Sequence, residues 1–340
     1  MSDEIPKLRM AATESPEAIA RRLEREQVAA NRDREFALEE SLGGFRVGSV
    51  KALNAVPLTR GLESEILYDT PANLAQLLQC DKLDAALVSI VEPLFHDRYD
   101  ILDGIAVASL GEVKSVFLAH RKPLEAVEEV FCDTASLTSV TLLKVLLAER
   151  GLKPTFTPLE SYAAATEKDF VLLIGDPALD FLFANPGTAP DSLSSPEGGE
   201  GRGEEAQLSQ DKIPSPQPSP RLSGERESER ANPGHEIFDL GAAWTELTQL
   251  PFVYAMWAMR RNIHTAALRG QLLEAREFGL DTIEQIICNR TEYTEDFRRD
   301  YFGWHIHYHL GTDEKRGIAK FIELLRKHGF GPVYEPKFVF

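Results

Sequence analysis

Apolar and polar positions change texture several times along this chain. They predict a short strand over residues 45–50, running into a loop at 51–57. Residues 70–78 carry helical spacing behind a capping Thr70, with Pro71 at the first helical position. A continuous apolar run at 84–91 predicts a buried strand, with others at 115–120, 130–133 and 170–174 and a helix over 140–150. The texture resumes at Ile237. An aromatic strand over 250–259 precedes a helix over 266–289 broken at Gly279, and a helix over 313–328 closes the chain with Ile318, Phe321, Ile322 and Leu325 on one face. Strands alternating with helices imply the α/β class, with parallel sheets and crossover helices.

Two segments depart from that pattern. In residues 1–44, Ser15-Pro16-Glu17 starts a helix, the run to Glu40 is rich in Ala, Arg and Glu, and Gly43-Gly44 ends it. Ile19, Leu23, Val28, Phe36 and Leu38 keep no steady face, which favours a solvated, partly helical tail over a docked oligomer arm. Residues 186–235 are dominated by Pro, Gly, Ser, Glu and Arg, with a polyproline-like run at 214–220. Such a composition buries too little apolar surface to offset its ordering entropy, so a disordered insertion is expected there.

Composition narrows the functional classes. A length of 340 residues with 43% hydrophobic content suits two domains with a sizeable core. A net charge of -17 argues against a nucleic-acid partner, which needs a basic surface, but leaves room for a local anion pocket. The first residues contain no apolar run of the secretory kind, and no stretch approaches the roughly 20 apolar residues of a membrane span. Cys80, Cys132 and Cys288 are scattered and odd in number, as in a reducing compartment. A cytoplasmic protein without membrane attachment is expected; oligomeric state is left open.

Motifs for nucleotide, zinc or hydrolase chemistry (GxGxxG, the P-loop, HExxH, GxSxG) are absent. What remains is polar residues at strand ends, where open α/β sheets place their ligands. Asn54 follows the first strand and offers two donors and an acceptor, although Asn equally serves turns. Ser136, Thr138 and Ser139 sit between a strand and a helix, where hydroxyls and free N–H groups hold an anion or simply cap the helix. Asp176 follows an apolar strand and can orient a polar group, move a proton, or cap the next helix. Alternation puts His305, His307 and His309 on one strand face, but with no carboxylate at ligand spacing an exposed polar face is favoured and no metal is expected. Lys51, Arg60, Arg260 and Arg261 are cations for substrate carboxylates or ordinary surface charges.

Taken in order, several stretches resemble one family. They are Arg46-Val47-Gly48-Ser49-Val50 through Asn54 and Pro57-Leu58, Gly111-Glu112-Val113-Lys114-Ser115-Val116, the Ser136 to Val140 turn, and Leu173-Ile174-Gly175-Asp176-Pro177-Ala178-Leu179. Asp239-Leu240-Gly241-Ala242-Ala243-Trp244 and the run from Leu250-Pro251-Phe252-Val253 to Trp257-Ala258 complete the set. Together they resemble the chorismate dehydratases of the futalosine route to menaquinone, over about residues 45–185 and 237–328.

The resemblance implies a two-lobed, periplasmic-binding-protein-like (type II) fold with an interlobe cleft. Residues 45–120 plus 258–340 would form lobe 1, and residues 121–257 lobe 2. It implies a carbon–oxygen hydro-lyase that converts chorismate to 3-[(1-carboxyvinyl)oxy]benzoate with no cofactor. Asn54 and Ser115 are carried over as catalytic groups facing the ring and its hydroxyl. Ser136, Thr138 and Ser139 would bind a carboxylate, Asp176 would orient, and Lys51 would supply a cation. Two positions depart from the family pattern: Ala52 stands where an aromatic is usual, and Leu137 where an arginine is usual. The alternatives are an enzyme like 1,4-dihydroxy-6-naphthoate synthase, whose expected opening motif is missing after Val50, and a non-catalytic cytosolic small-anion-binding protein.

Overall fold

The computed structural model describes residues 15–132, 137–185 and 234–340. The expected insertion at 186–235 lies outside them except for its last two positions. Of these, His235 is buried, with Nε2 2.8 Å from the Lys168 carbonyl and its ring edge-on to Phe181, so folded chain has resumed there.

Ten α-helices stand among these residues. They are α1 (Pro16–Leu38), α2 (Pro71–Gln79), α3 (Val91–Phe95), α4 (Leu137–Glu149), α5 (Asp176–Ala184), α6 (Leu240–Thr248), α7 (Ala266–Asp281), α8 (Ile283–Asn289), α9 (Glu295–Asp300) and α10 (Thr312–Lys327). The chain first lays down β1 (Val47–Ser49), β2 (Ile66–Tyr68), β3 (Ala85–Ser89), β4 (Tyr99–Leu102) and β5 (Gly104–Ser109). Next come β6 (Val116–His120), β7 (Glu129–Cys132), β8 (Thr155–Pro158), β9 (Phe170–Ile174) and β10 (Glu236–Asp239). The last three strands are β11 (Phe252–Arg260), β12 (His307–Leu310) and β13 (Phe338–Val339).

These strands make two sheets. The first runs β12-β5-β11-β3-β1-β2, with β4 beside β11 and β13 beside β4; the second runs β10-β6-β9-β7-β8. Both are mixed rather than parallel. β1 pairs in parallel with β2 and β3, and β7 with β8 and β9, while β11 lies antiparallel to β3, β4 and β5, and β6 antiparallel to β9 and β10. The all-parallel expectation fails because strand runs reveal burial but not direction.

The sheets define two lobes, and their membership moves the boundaries expected at 120/121 and 257/258. β6 is registered against β9 from Val116 to His120 and belongs wholly to the second lobe. β11, nine residues long and almost wholly buried, belongs wholly to the first. The chain therefore crosses between lobes near residues 110–115 and 249–251. Left-handed backbone at Gly111, Lys114 and Gln249 turns it there.

Local signals account for the helix ends. Thr70 accepts the Asn73 amide at 3.3 Å with Pro71 behind it, and Ser15 accepts the Ala18 amide at 3.2 Å before Pro16. α1 is exposed along most of its length, but its end is docked. Leu38 and Leu42 are buried, and Arg34 reaches Glu274 and Asp281 on α7 at 3.0 and 2.7 Å. The long helical run after Ala266 breaks at Thr282, not at Gly279. Gly279 has another duty: a Cβ there would sit 1.9 Å from the Pro57 carbonyl oxygen, so it lets α7 lie against the 3₁₀ turn Leu53–Leu58. No described helix is long and apolar enough to cross a membrane.

Candidate functional site

A cavity of about 540 Å³ opens between the lobes, lined from one side by Val88, Val107 and Tyr254 and from the other by Val116 and Ile174. That volume suits a small organic ligand. Three helix starts reach its wall: Thr70 and Pro71 opening α2, Ser139 in the first turn of α4, and Gly175, Asp176 and Pro177 opening α5. Helix N-termini present free N–H groups and the positive end of the helix dipole. Three together give an anion a favourable place within a chain of net charge -17.

The polar groups on the floor are tied to one another. Asn54, on the 3₁₀ turn, and Ser115, at the crossing into β6, both line the cavity. The Tyr301 hydroxyl donates to Ser115 Oγ at 2.8 Å and also meets the Asn54 side chain. Tyr301 is buried, which pushes its phenol well above the ordinary value and keeps it a neutral donor. It stands in a single π turn, Tyr301–His305, a local geometry with no sequence signature, and pattern reading missed it.

Asp239 is a second residue that pattern reading left without a role. Its carboxylate accepts the amides of Val113 and Lys114, the latter at 2.8 Å, and caps α6 through the Ala242 amide at 2.9 Å. It thereby fixes the left-handed turn that delivers Ser115 to the cavity. Burial still raises the pKa of this carboxyl, against the pull of those three amides. Gly241, two residues on, has no room for a side chain: a Cβ would lie 2.5 Å from the Gly111 carbonyl oxygen and 2.9 Å from the Tyr254 hydroxyl.

The remaining sequence candidates divide. Ser139, Asp176 and Lys51 line the cavity beside Asn54 and Ser115, and Lys51 is the one cation among its described lining residues. Asp176 Oδ1 accepts the Leu53 amide at 3.2 Å, so a second-lobe carboxylate holds the turn that carries Asn54. Burial raises the Asp176 pKa, with the Leu53 hydrogen bond opposing. Thr138 is a correction. It is 1% exposed and outside the cavity lining, and its hydroxyl pairs with that of Ser89 and accepts the Val91 amide at 3.4 Å, tying α4 to the first lobe. Ser136 lies outside the described residues. Leu137, in the usual arginine position, is 45% exposed and is not among the lining residues.

Three cations are committed elsewhere. Arg260 pairs with Asp81 and Asp84, Arg261 with Asp97 and Asp100, and Arg60 approaches Glu35 and Glu63. The histidine array is also not the uniform exposed face expected. His305 belongs to the π turn, its nitrogens taken by the Glu112 carbonyl at 2.8 Å and Asp300 at 3.0 Å. His307 and His309 share a carboxylate after all, Glu314 on α10, which the linear spacing did not disclose.

Comparison with known proteins places the sequence in a family. A family profile described as menaquinone biosynthesis matches residues 45–190 and 222–327. The chain belongs to this menaquinone-biosynthesis family. Within its range of similarity stands the chorismate dehydratase of Thermus thermophilus, 31% identical over 301 residues, which span 86% of this chain and 99% of that protein. Solved structures share the fold at low identity. A protein from Archaeoglobus fulgidus aligns with a TM-score of 0.56 at 13% identity, over 84% of this chain and 97% of that one. The alkanesulfonate-binding protein SsuA from Xanthomonas axonopodis, solved with MOPS, aligns at 0.50 and 14% identity, over 85% and 94%. The fold is thus the two-lobed α/β architecture of periplasmic binding proteins.

Proposed function

We propose that this member of the menaquinone-biosynthesis family is a chorismate dehydratase, a carbon–oxygen hydro-lyase acting on chorismate in the cytoplasm. The observation that carries the reading is the convergence of Asn54, Ser115 and three helix N-termini on one interlobe cavity. It is joined to similarity with a chorismate dehydratase over 86% of this chain and 99% of that protein.

In this reading one carboxylate of the substrate rests on Ser139 and the start of α4, and the other is met by Lys51 at the mouth. Charge-assisted hydrogen bonds of about 1.5–3 kcal/mol each supply the positioning. Asn54 and Ser115 face the ring and its hydroxyl. The ring C–H beside the ether gives up its proton, the electron pair becomes the third ring double bond, and the neighbouring C–O bond breaks. Proton and hydroxide leave together as water, and aromaticity drives the step without an oxidant. The lining carboxylates Asp69 and Asp176 are engaged, the first by the Thr70 amide and Asn73, the second by the Leu53 amide, and the enolpyruvyl carboxylate of the substrate itself takes the proton and passes it to the departing hydroxide. Asn54 and Ser115, oriented by Tyr301, stabilise the departing oxygen. Asp176 holds the Asn54 turn when the lobes are together, and closure excludes water.

The test is Asn54→Ala. Loss of one hydrogen bond to a charged reacting group corresponds to a fall in kcat of about 10- to 100-fold, in a protein that stays folded and loses about 1 kcal/mol for the hydrogen bond to Tyr301. Unaltered kcat would remove Asn54 from the mechanism.

A further inference from the structure

Apart from the cavity, the clustering of titratable side chains that stands out lies on the other face of the first sheet. We propose that His307, His309 and Glu314 form a binding site for a zinc-like divalent cation, joining edge strand β12 to the first turn of α10.

The geometry is that of a three-ligand set. Glu314 Oε1 lies 3.1 Å from His307 Nε2 and 3.2 Å from His309 Nε2, and the three ligand atoms fall within 4.8 Å of one another. Nitrogen and oxygen atoms bound tetrahedrally to zinc at about 2.0–2.1 Å stand roughly 3.3 Å apart. An ion therefore fits among these atoms after small side-chain shifts.

The carboxylate is held for the purpose. Glu314 is 3% exposed, and its other oxygen accepts the Gly311 amide at 2.8 Å, which turns Oε1 toward the two imidazoles. The imidazoles are brought together by strand alternation, with ring centroids 4.5 Å apart. The His309 side chain is 61% exposed, so an ion enters from solvent and keeps a water in its fourth position. Two imidazoles and one carboxylate select a borderline transition metal over magnesium or calcium, which prefer oxygen ligands throughout.

The cation sits apart from the cavity. Ile306 lines the cavity and precedes His307, so alternation turns the imidazoles to the opposite face. Its work is structural: it clips the sheet edge to α10, and it is independent of the dehydratase reading.

Full-length, tag-free protein, stripped with chelator, is titrated with zinc chloride by calorimetry, with magnesium chloride as the control. One zinc per chain at micromolar affinity or tighter is expected, with a rise in Tm and no heat from magnesium. His309→Ala, at an exposed position, leaves the zinc-free melt and chorismate turnover unchanged and weakens zinc binding by at least about tenfold. Glu314→Gln acts in the same direction if it folds; His309→Ala decides the matter if it does not. Equal zinc affinity in His309→Ala, or binding abolished instead by Cys80→Ser or Cys288→Ser, overturns the proposal.

Discussion

Tyr301 shows how much of the site depends on a residue that need not touch the substrate. Its hydroxyl donates to Ser115 and accepts from the Asn54 side chain, orienting both, and Tyr301→Phe removes only that oxygen. The variant should lower kcat by about tenfold or more, leave KM within a few-fold, and cost about 1 kcal/mol of stability for the lost hydrogen bond. Steady-state kinetics with a denaturant melt check this; unchanged kcat with the stability loss alone would make Tyr301 merely structural. Asn54, Ser139 and Asp176 stood out in sequence as polar residues at strand and helix ends, Lys51 as a nearby cation, and Ser115 through the family resemblance; all five line the cavity. Thr138 was misread because a hydroxyl at a helix start looks the same whether it faces a ligand or, as here, Ser89 in the other lobe. Glu314 went unseen because its partnership with His307 and His309 runs from a helix to a strand, across a turn whose geometry linear spacing does not encode.

At the scale of elements, close backbone approaches position the site. The 3₁₀ turn bearing Asn54 is backed by α7, and the contact exists only because Gly279 has no side chain. Gly279→Ala puts a methyl group 1.9 Å from the Pro57 carbonyl oxygen. The overpacking should destabilise the fold by about 1–3 kcal/mol in a denaturant titration and lower turnover by displacing Asn54. Wild-type stability and activity would show that α7 yields without consequence. Gly279 was read in sequence as a helix break, the usual meaning of a glycine inside a helical pattern, whereas the helix runs through it to Asp281. Strands β3, β9 and β11 were legible from their apolar runs. The four-residue strands β4, β8 and β10 were not, since brief segments take their strand character from the partners they pair with, and neither was β5 at 104–109.

On the scale of the whole molecule, the two lobes are tied across the cleft. Leu53 meets Asp176, Ser89 meets Thr138, the Tyr293 hydroxyl reaches Asp180 at 3.1 Å, and Lys327 and His328 at the end of α10 grip Glu149 on α4. The two-lobed plan was legible from the alternating texture together with the family resemblance. The lobe boundaries were not, because a chain that crosses twice leaves no compositional mark at either crossing. Closure of the lobes on an anion is what these ties would reward, and dehydration of chorismate is the chemistry assigned to the closed state. The decisive measurement is incubation of the purified full-length protein with chorismate, followed by absorbance and mass spectrometry. An aromatic product one water lighter than chorismate, formed catalytically and without added oxidant, is the predicted result. Tight binding of chorismate with no such product would contradict the account and leave an anion-binding protein in its place.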